Sequence, residues 1–380
     1  MSQTAPVIFQ GVSMMNSRAA ALDGLRGVAV LFVILFHYWQ NLPTGGFVGV
    51  DIFFVLSGYL ITTLLLDELE TRSFRFSSFF LRRTIRLAPA LWAMALGTTL
   101  IVAALSIPPH ELPGDLGFVL TYTSNWKRAF IERFGDSFYF SHVWSLAVEQ
   151  QFYLSWPLLL AAGAARLSRS DLLKAILMGV AVVTLWRWLL LYDGARTFRI
   201  YHGFDTRIDE LLVGCALAVA LSMPGLRAAL VEWLRTRPTL SATLLAAMPI
   251  LGAYMDIGGV ALAIFGYTLL AVISAMVIID CRYNPMSLSA RILSNRPLAY
   301  LGAISYGVYL WHQPILALFI ASGSAFGLEQ KRVAFLLTVA IASASHHILE
   351  QPLLRWNAAR RSRERAAAPR HLQPAPGALA

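Results

Sequence analysis

Ten apolar stretches, each of about 20 residues, recur along this chain, and such stretches have one environment that satisfies their backbone: a bilayer, crossed as helices. They lie near 22–41, 46–66, 88–107, 143–164, 172–192, 208–223, 239–255, 258–279, 299–321 and 333–350. The sixth is short, and the seventh and eighth are joined only by Asp256 and Ile257. The bulk composition agrees, with 57% hydrophobic and 14% charged residues against about 45–50% apolar content in soluble domains. The expected fold class is all-α: a polytopic integral membrane helical bundle of about ten transmembrane helices. Ten Trp, 13 Tyr and 22 Phe suit the interfacial belts of such a bundle.

The formal charge of +10 is topology information in so apolar a chain, and no nucleic-acid partner is expected. With the N-terminus in the cytoplasm, 22 of the 31 Lys and Arg fall on that side and 8 on the other, which is the positive-inside bias. Both termini are therefore predicted to be cytoplasmic. Residues 1–21 form a cytoplasmic N-terminal segment without the arrangement of a signal peptide, and 22–356 the transmembrane domain. Residues 357–380 form a basic cytoplasmic tail, expected to be disordered and to touch anionic membrane lipid. Cys215 and Cys281 sit at apolar or cytoplasm-facing positions, where a disulfide is not expected. There is no internal repeat.

The first span, D-G-L-R-G-V-A-V-L-F-V-I-L-F-H-Y-W, carries Arg26 near its start and His37 near its end. Eleven residues put the two on one helix face, about 16 Å apart. Ionisable groups at such depth usually face a cavity or a partner, although a snorkelling arginine and a satisfied core histidine would look the same. Gly45 to Thr62 follows with Asp51 near the depth of His37, and its glycines permit close helix approach. The fourth span opens H-V-W-S-L-A-V-E-Q-Q-F-Y, so Glu149, Gln150, Gln151 and Tyr153 occupy its first two turns. Glu149 is expected in the same outer layer as His37 and Asp51. The segment Tyr300 to Pro314 adds Ser305, Tyr306, Tyr309 and His312, with His312 about 18 Å along a continuous helix from Tyr300. Arg207 and Asp209 are expected to form a structural ion pair.

At the other face, F-F-L-R-R-T-I-R places Arg83 and Arg86 three residues apart, with Arg82 beside them. Arginine's planar fork suits phosphate, while the same residues also fit ordinary topology anchors. No serine-hydrolase elbow, Walker loop, dinucleotide fingerprint or zinc motif is present, so the chemistry must come from a base and bound substrates.

Several motifs occur together and in order: Arg26-x10-His37, G-F-V-G-V-D-I-F-F-V-L-S-G, R-x-x-R at Arg83 and Arg86, S-L-A-V-E-Q-Q-F-Y-L-x-W-P, S-Y-G-V-Y-L-W-H-Q-P, and L-E-Q-P at Leu349 to Pro352. From about Leu22 to Trp356 the chain resembles the membrane-bound acyltransferase family 3. The resemblance implies a ten-helix enzyme of the bacterial inner membrane. It would move an acyl group, usually acetyl, from acyl-CoA to a hydroxyl of a carbohydrate or other acceptor. It also implies that His37 is catalytic and that Arg26, Arg83 and Arg86 bind the donor, with Arg82 beside them; Glu149 and Asp51 match acidic motif positions.

The expected mechanism has His37 as general base on the acceptor hydroxyl, with Glu149 or Asp51 fixing its tautomer and stabilising the imidazolium. A transient acyl-His37 is the variant. Tyr153, Tyr306, His312 and Gln150 are expected to contact substrate. Acetyl-CoA enters as donor substrate, with no tightly bound cofactor. The acceptor is a carbohydrate, a lipid-linked sugar or a secondary metabolite. The rival reading is a secondary transporter in which His37 and Glu149 relay protons; the lack of inverted repeats and paired interrupted spans counts against it.

Overall fold

The apolar patterning produces helices throughout, and every described regular element is helical. The computed structural model describes residues 7–39, 44–107, 112–131, 139–256, 258–321 and 327–367. The N-terminal half comprises α1 (Val7–Tyr38), α2 (Gly49–Glu70), α3 (Phe76–Ala104), α4 (Leu112–Leu120), α5 (Ser124–Trp126), α6 (Trp144–Ala164), α7 (Arg169–Tyr192) and α8 (Thr197–His202). Then follow α9 (Phe204–Ser222), α10 (Pro224–Arg235), α11 (Leu240–Met255), α12 (Tyr267–Tyr283), α13 (Leu288–Leu293), α14 (Arg296–Ala303), α15 (Ser305–Ala321), α16 (Leu328–Ser345) and α17 (Gln351–Ala367). A π-helical turn, His346–Glu350, joins the last two.

Six described helices are long and apolar enough to cross a membrane, and eight if each of two bent pairs counts as one crossing. This is a multi-pass membrane protein with fewer clear spans than the ten expected, for local reasons. Helix α6 is 21 residues long, but Glu149, Gln150 and Gln151 make it too polar to qualify. Helix α11 has only 16 residues. The expected span 299–321 breaks at Ile304, where α14 and α15 meet at 71°, and α9 turns into α10 through 108°. Tyr300 and His312 therefore do not share one helix axis. The last helix runs on through Ala367, so residues 357–367 of the expected disordered tail are helical. Arg and Ala dominate there, both strong helix formers, and the next proline is Pro369. Residues 368–380 lie outside the described residues, as do parts of the external segment 108–142.

Helix α2 is the axis of the bundle, mostly buried along its length, whereas α7 is mostly exposed. It can sit between α1 and α9 because its contact points lack side chains. A Cβ on Gly58 would overlap the Leu211 carbonyl of α9, and one on Gly214 of α9 would overlap the Val55 carbonyl of α2. Small residues at such crossings let backbones approach where lipid offers no hydrophobic drive. Helices α2 and α6 run side by side in one direction, in a register marked by Phe54 against Trp144 at 6.1 Å and Trp156 Nε1–H donating to Thr62 Oγ1 at 2.8 Å. Cys215 and Cys281 are free and buried.

Two buried ion-pair networks brace α9. Arg207 Nε donates to Glu210 at 2.7 Å and its Nη2 to Asp51 at 3.1 Å, with the guanidinium 4.0 Å from the Tyr267 ring centre. Arg187 of α7 donates to Asp209 at 2.6 Å and to Thr268 of α12 at 2.7 Å. The expected Arg207–Asp209 pair is thus replaced by two separate ones. Residues 207 and 209 lie about 200° apart around a helix, so one neighbour cannot face both.

Candidate active site

Helices α1, α2, α3, α6 and the α14–α15 elbow enclose a cavity of about 440 Å³. Its floor is charged: Arg26, Arg83, Arg86 and Glu149 line it, together with Tyr153 and Tyr306. Its far end is closed by Phe53, Ser145 and Tyr309. The helix rise sets the depth of each layer. On α6, Ser145 and Tyr153 are eight residues and about 12 Å apart, and Arg26 and His37 on α1 about 16 Å. The arginines therefore lie at one end of the cavity, and His37, which does not line it, lies beyond the other.

At the charged end, neither Arg83 nor Arg86 forms an ion pair among the described residues. The Arg83 guanidinium is held between two rings, 5.7 Å from Phe79 and 5.8 Å from Tyr153. Arg86 is exposed at the mouth. Arg26 meets Asp23 at 3.3 Å. Such unpaired guanidiniums around an open volume are suited to an anion with several oxygens. Arg82 points elsewhere, into an ion pair with Glu68 of α2 at 2.5 Å. It braces α2 against α3 and does not line the cavity, because adjacent helix positions face about 100° apart.

Glu149 accepts a hydrogen bond from Ser57 Oγ, and Tyr153 OH donates to the same Ser57 oxygen at 3.2 Å. This places Glu149 among the arginines, not beside His37. Seven residues of helix, about 10 Å, separate it from the His142 level. Asp51 is also away from His37, held by Arg207 in the buried network. Neither carboxylate can fix the His37 tautomer. That task falls to the helix itself: His37 Nδ1–H donates to the Val33 carbonyl at 2.8 Å, leaving Nε2 with its lone pair. Gln150 is buried on another face of α6, outside the cavity lining, and its Oε1 has no hydrogen-bond partner among the described residues. Tyr306 lines the cavity, with its hydroxyl donating to Leu87 O at 2.6 Å.

Beyond the Ser145–Tyr309 wall lies a histidine cluster. The His37 and His312 ring centres are 5.0 Å apart, and those of His142 and His312 4.9 Å. Tyr309 separates this cluster from the cavity, its hydroxyl 2.6 Å from Ser145 Oγ and donating to the His142 carbonyl at 2.7 Å.

Sequence reasoning missed His142, Ser57, Ser145 and the pair His346 and Glu350, which also line or abut the cavity. The signal for His142 was available, since it opens the same polar motif as Glu149. Ser57 gave none, because one serine in an apolar helix usually bonds its own backbone. His346 and Glu350 are brought to the cavity by the π-helical turn, which sequence periodicity does not reveal.

Among known proteins, the family model described as an acyltransferase domain matches residues 19–345. The chain is 36% identical over 347 residues to the putative peptidoglycan O-acetyltransferase YrhL of Bacillus subtilis, covering 87% of this chain and 54% of that protein. It is 34% identical over 317 residues to the peptidoglycan O-acetyltransferase OatA of Listeria monocytogenes, covering 78% and 49%. A putative O-acetyltransferase of Staphylococcus aureus (strain COL) is 32% identical over 348 residues, covering 87% and 56%. The chain thus spans about half the length of the curated relatives it matches. No solved structure matches it.

Proposed function

The chain belongs to the acyltransferase family, and on that premise we propose that it is an O-acetyltransferase moving an acetyl group from acetyl-CoA to a hydroxyl of a carbohydrate acceptor. The observation that carries the proposal is the placing of the charged cavity on one side of the Ser145–Tyr309 wall and His37 on the other. Unpaired Arg83 and Arg86, with Arg26, stand at one end of a cavity of about 440 Å³, and His37 lies beyond the other.

The donor's phosphates bind on the three guanidiniums, and its acyl end reaches the Ser145–Tyr309 wall, whose side chains swing aside to bring the thioester to His37. His37 Nε2, whose lone pair is fixed by the Nδ1–H bond to Val33, takes the proton of the acceptor hydroxyl as that oxygen attacks the thioester carbonyl. The thiolate leaves and recovers the proton. Glu149 serves the charged end, where it balances guanidinium charge before the donor arrives. The arginine end faces the cytoplasm of the bacterial inner membrane, in keeping with the positive-inside bias. A glycan of the cell envelope is the acceptor class that the relatives' names support. An exporter reading has no comparable support, because the matching family is one of acyltransferases.

Full-length enzyme carrying His37→Ala is expected to bind acetyl-CoA normally and to lose transfer of radiolabelled acetyl to envelope glycan. Full turnover by this folded variant would remove His37 from the mechanism.

A further inference from the structure

His37 as base leaves two neighbours unaccounted for. His142 and His312 are 3% and 0% exposed, and each spends one ring N–H on a backbone carbonyl. His142 Nε2–H donates to Leu310 O at 3.1 Å, and His312 Nδ1–H donates to Tyr309 O at 2.6 Å. A carbonyl can only accept, so the hydrogen resides on those nitrogens and the opposite nitrogen of each neutral ring is a bare lone pair. Both lone pairs, His142 Nδ1 and His312 Nε2, are buried without a hydrogen-bond partner among the described residues. Buried polar atoms are nearly always satisfied, so two orphans in one cluster call for an explanation. With His37 Nε2 they make three acceptor nitrogens in one cluster, the His312 ring centre lying 5.0 Å from that of His37 and 4.9 Å from that of His142.

The transfer step supplies what these lone pairs lack. When the acceptor O–H bond breaks, the proton moves to His37 Nε2, the new O–C bond forms and the C–S bond cleaves. Until the departing thiolate takes that proton as CoA–SH, His37 is a cation. No carboxylate among the described residues is bonded to it: Glu149 is bound by Ser57 and Asp51 by Arg207. Tyr309 packs against both neighbouring histidines, but its hydroxyl is committed to Ser145 and the His142 carbonyl.

We propose that His142 and His312 are positioning residues for the transferred proton: their lone pairs accept the new His37 N–H, directly or through one water, and hold the imidazolium in place of a carboxylate. The proposal rests on His37 being the base.

The rings can be dissected one nitrogen at a time. In His142→Gln the terminal amide N–H stands where Nε2–H bonded Leu310, and the Nδ1 lone pair is gone. In His142→Asn the amide oxygen restores an acceptor at the Nδ1 position and the bond to Leu310 is lost. At 312 the pairing reverses: His312→Asn keeps the donor toward Tyr309, and His312→Gln keeps the acceptor. With purified full-length enzyme, acetyl-CoA and isolated envelope glycan of the native host as probes, His142→Gln and His312→Asn are expected to lose about 10- to 100-fold in kcat. The acetyl-CoA Kd should stay unchanged, and His142→Asn and His312→Gln should retain more turnover than their counterparts. The opposite ranking would mean that the N–H anchors matter and the lone pairs do not, overturning the proposal. Equal losses within each pair, or wild-type turnover in all four, overturn it as well. Activity abolished by a chelator and restored by zinc would replace proton holding with metal ligation and equally overturn it. His37→Ala separates the two claims: if it is inactive while the ranking fails, only the present inference falls.

Discussion

Replacing Arg83 by Gln removes one of two guanidiniums that face the cavity without an ion-pair partner among the described residues. A hydrogen bond between charged groups contributes about 1.5–3 kcal/mol, and about 1.4 kcal/mol is a tenfold change in affinity. The donor's Kd is therefore expected to rise about 10- to 150-fold. Arg83 belongs toward the upper end, because the rings of Phe79 and Tyr153 hold it at 5.7 and 5.8 Å and limit its access to water. Arg86 is exposed, so Arg86→Gln belongs nearer tenfold. The internal control is Arg82→Gln, one residue away and bound to Glu68 instead; its donor Kd should stay within about twofold of wild type, as for substitutions outside a site. Calorimetric titration of acetyl-CoA into the purified protein reads all three, and repeating it with dephospho-CoA shows which arginine holds the ribose phosphate. Unchanged affinity in folded Arg83→Gln and Arg86→Gln, or an Arg82→Gln loss as large as theirs, would refute the assignment of this end of the cavity to phosphate.

Asp51→Asn leaves Arg207 short of a buried partner and should cost about 3–5 kcal/mol, seen as a lower unfolding temperature in detergent with donor affinity intact. Normal stability with lost turnover would instead return Asp51 to the reaction. Gly58→Ala and Gly214→Ala place a methyl against the carbonyls of Leu211 and Val55 and should destabilise by about 1–3 kcal/mol. Gly225→Ala, which meets nothing within 4 Å, should not. Glu149→Gln preserves an acceptor for Ser57 and removes a negative charge facing the guanidiniums, so acetyl-CoA should bind about two- to fivefold tighter; weaker binding would place Glu149 in direct contact with the donor.

Distance along a helix was legible in the sequence wherever the helix is unbroken. Arg26 and His37 lie as far apart as their spacing dictates, because a helix rises about 1.5 Å per residue whatever surrounds it. The same ruler fails between Tyr300 and His312, where the axis bends by 71° at Ile304; Gly302 lies two residues before the break, but a glycine inside an apolar span equally marks close helix packing. Membrane character was legible for the same kind of reason, because the bilayer demands about 20 apolar residues per crossing. The exact number of crossings was not, since α6 carries the polar residues of the site itself.

Partners across the bundle were not legible, and the misplacement of Asp51 and Glu149 shows why. Depth alone assigned both to His37. Which carboxylate meets which cation depends on the rotation of each helix about its axis, and that is set by contacts such as Gly58 against Leu211. Those contacts turn Asp51 toward Arg207, 156 residues away in sequence, and Glu149 toward Ser57. With both acids committed, His37 is left among neighbouring histidine rings and its own backbone carbonyl. An acid at that depth would hold His37 as a permanent ion pair. If His37 is the proposed base, neutral lone pairs accept its N–H only once the acceptor's proton arrives, which favours the charge where it develops in the transition state over the resting enzyme.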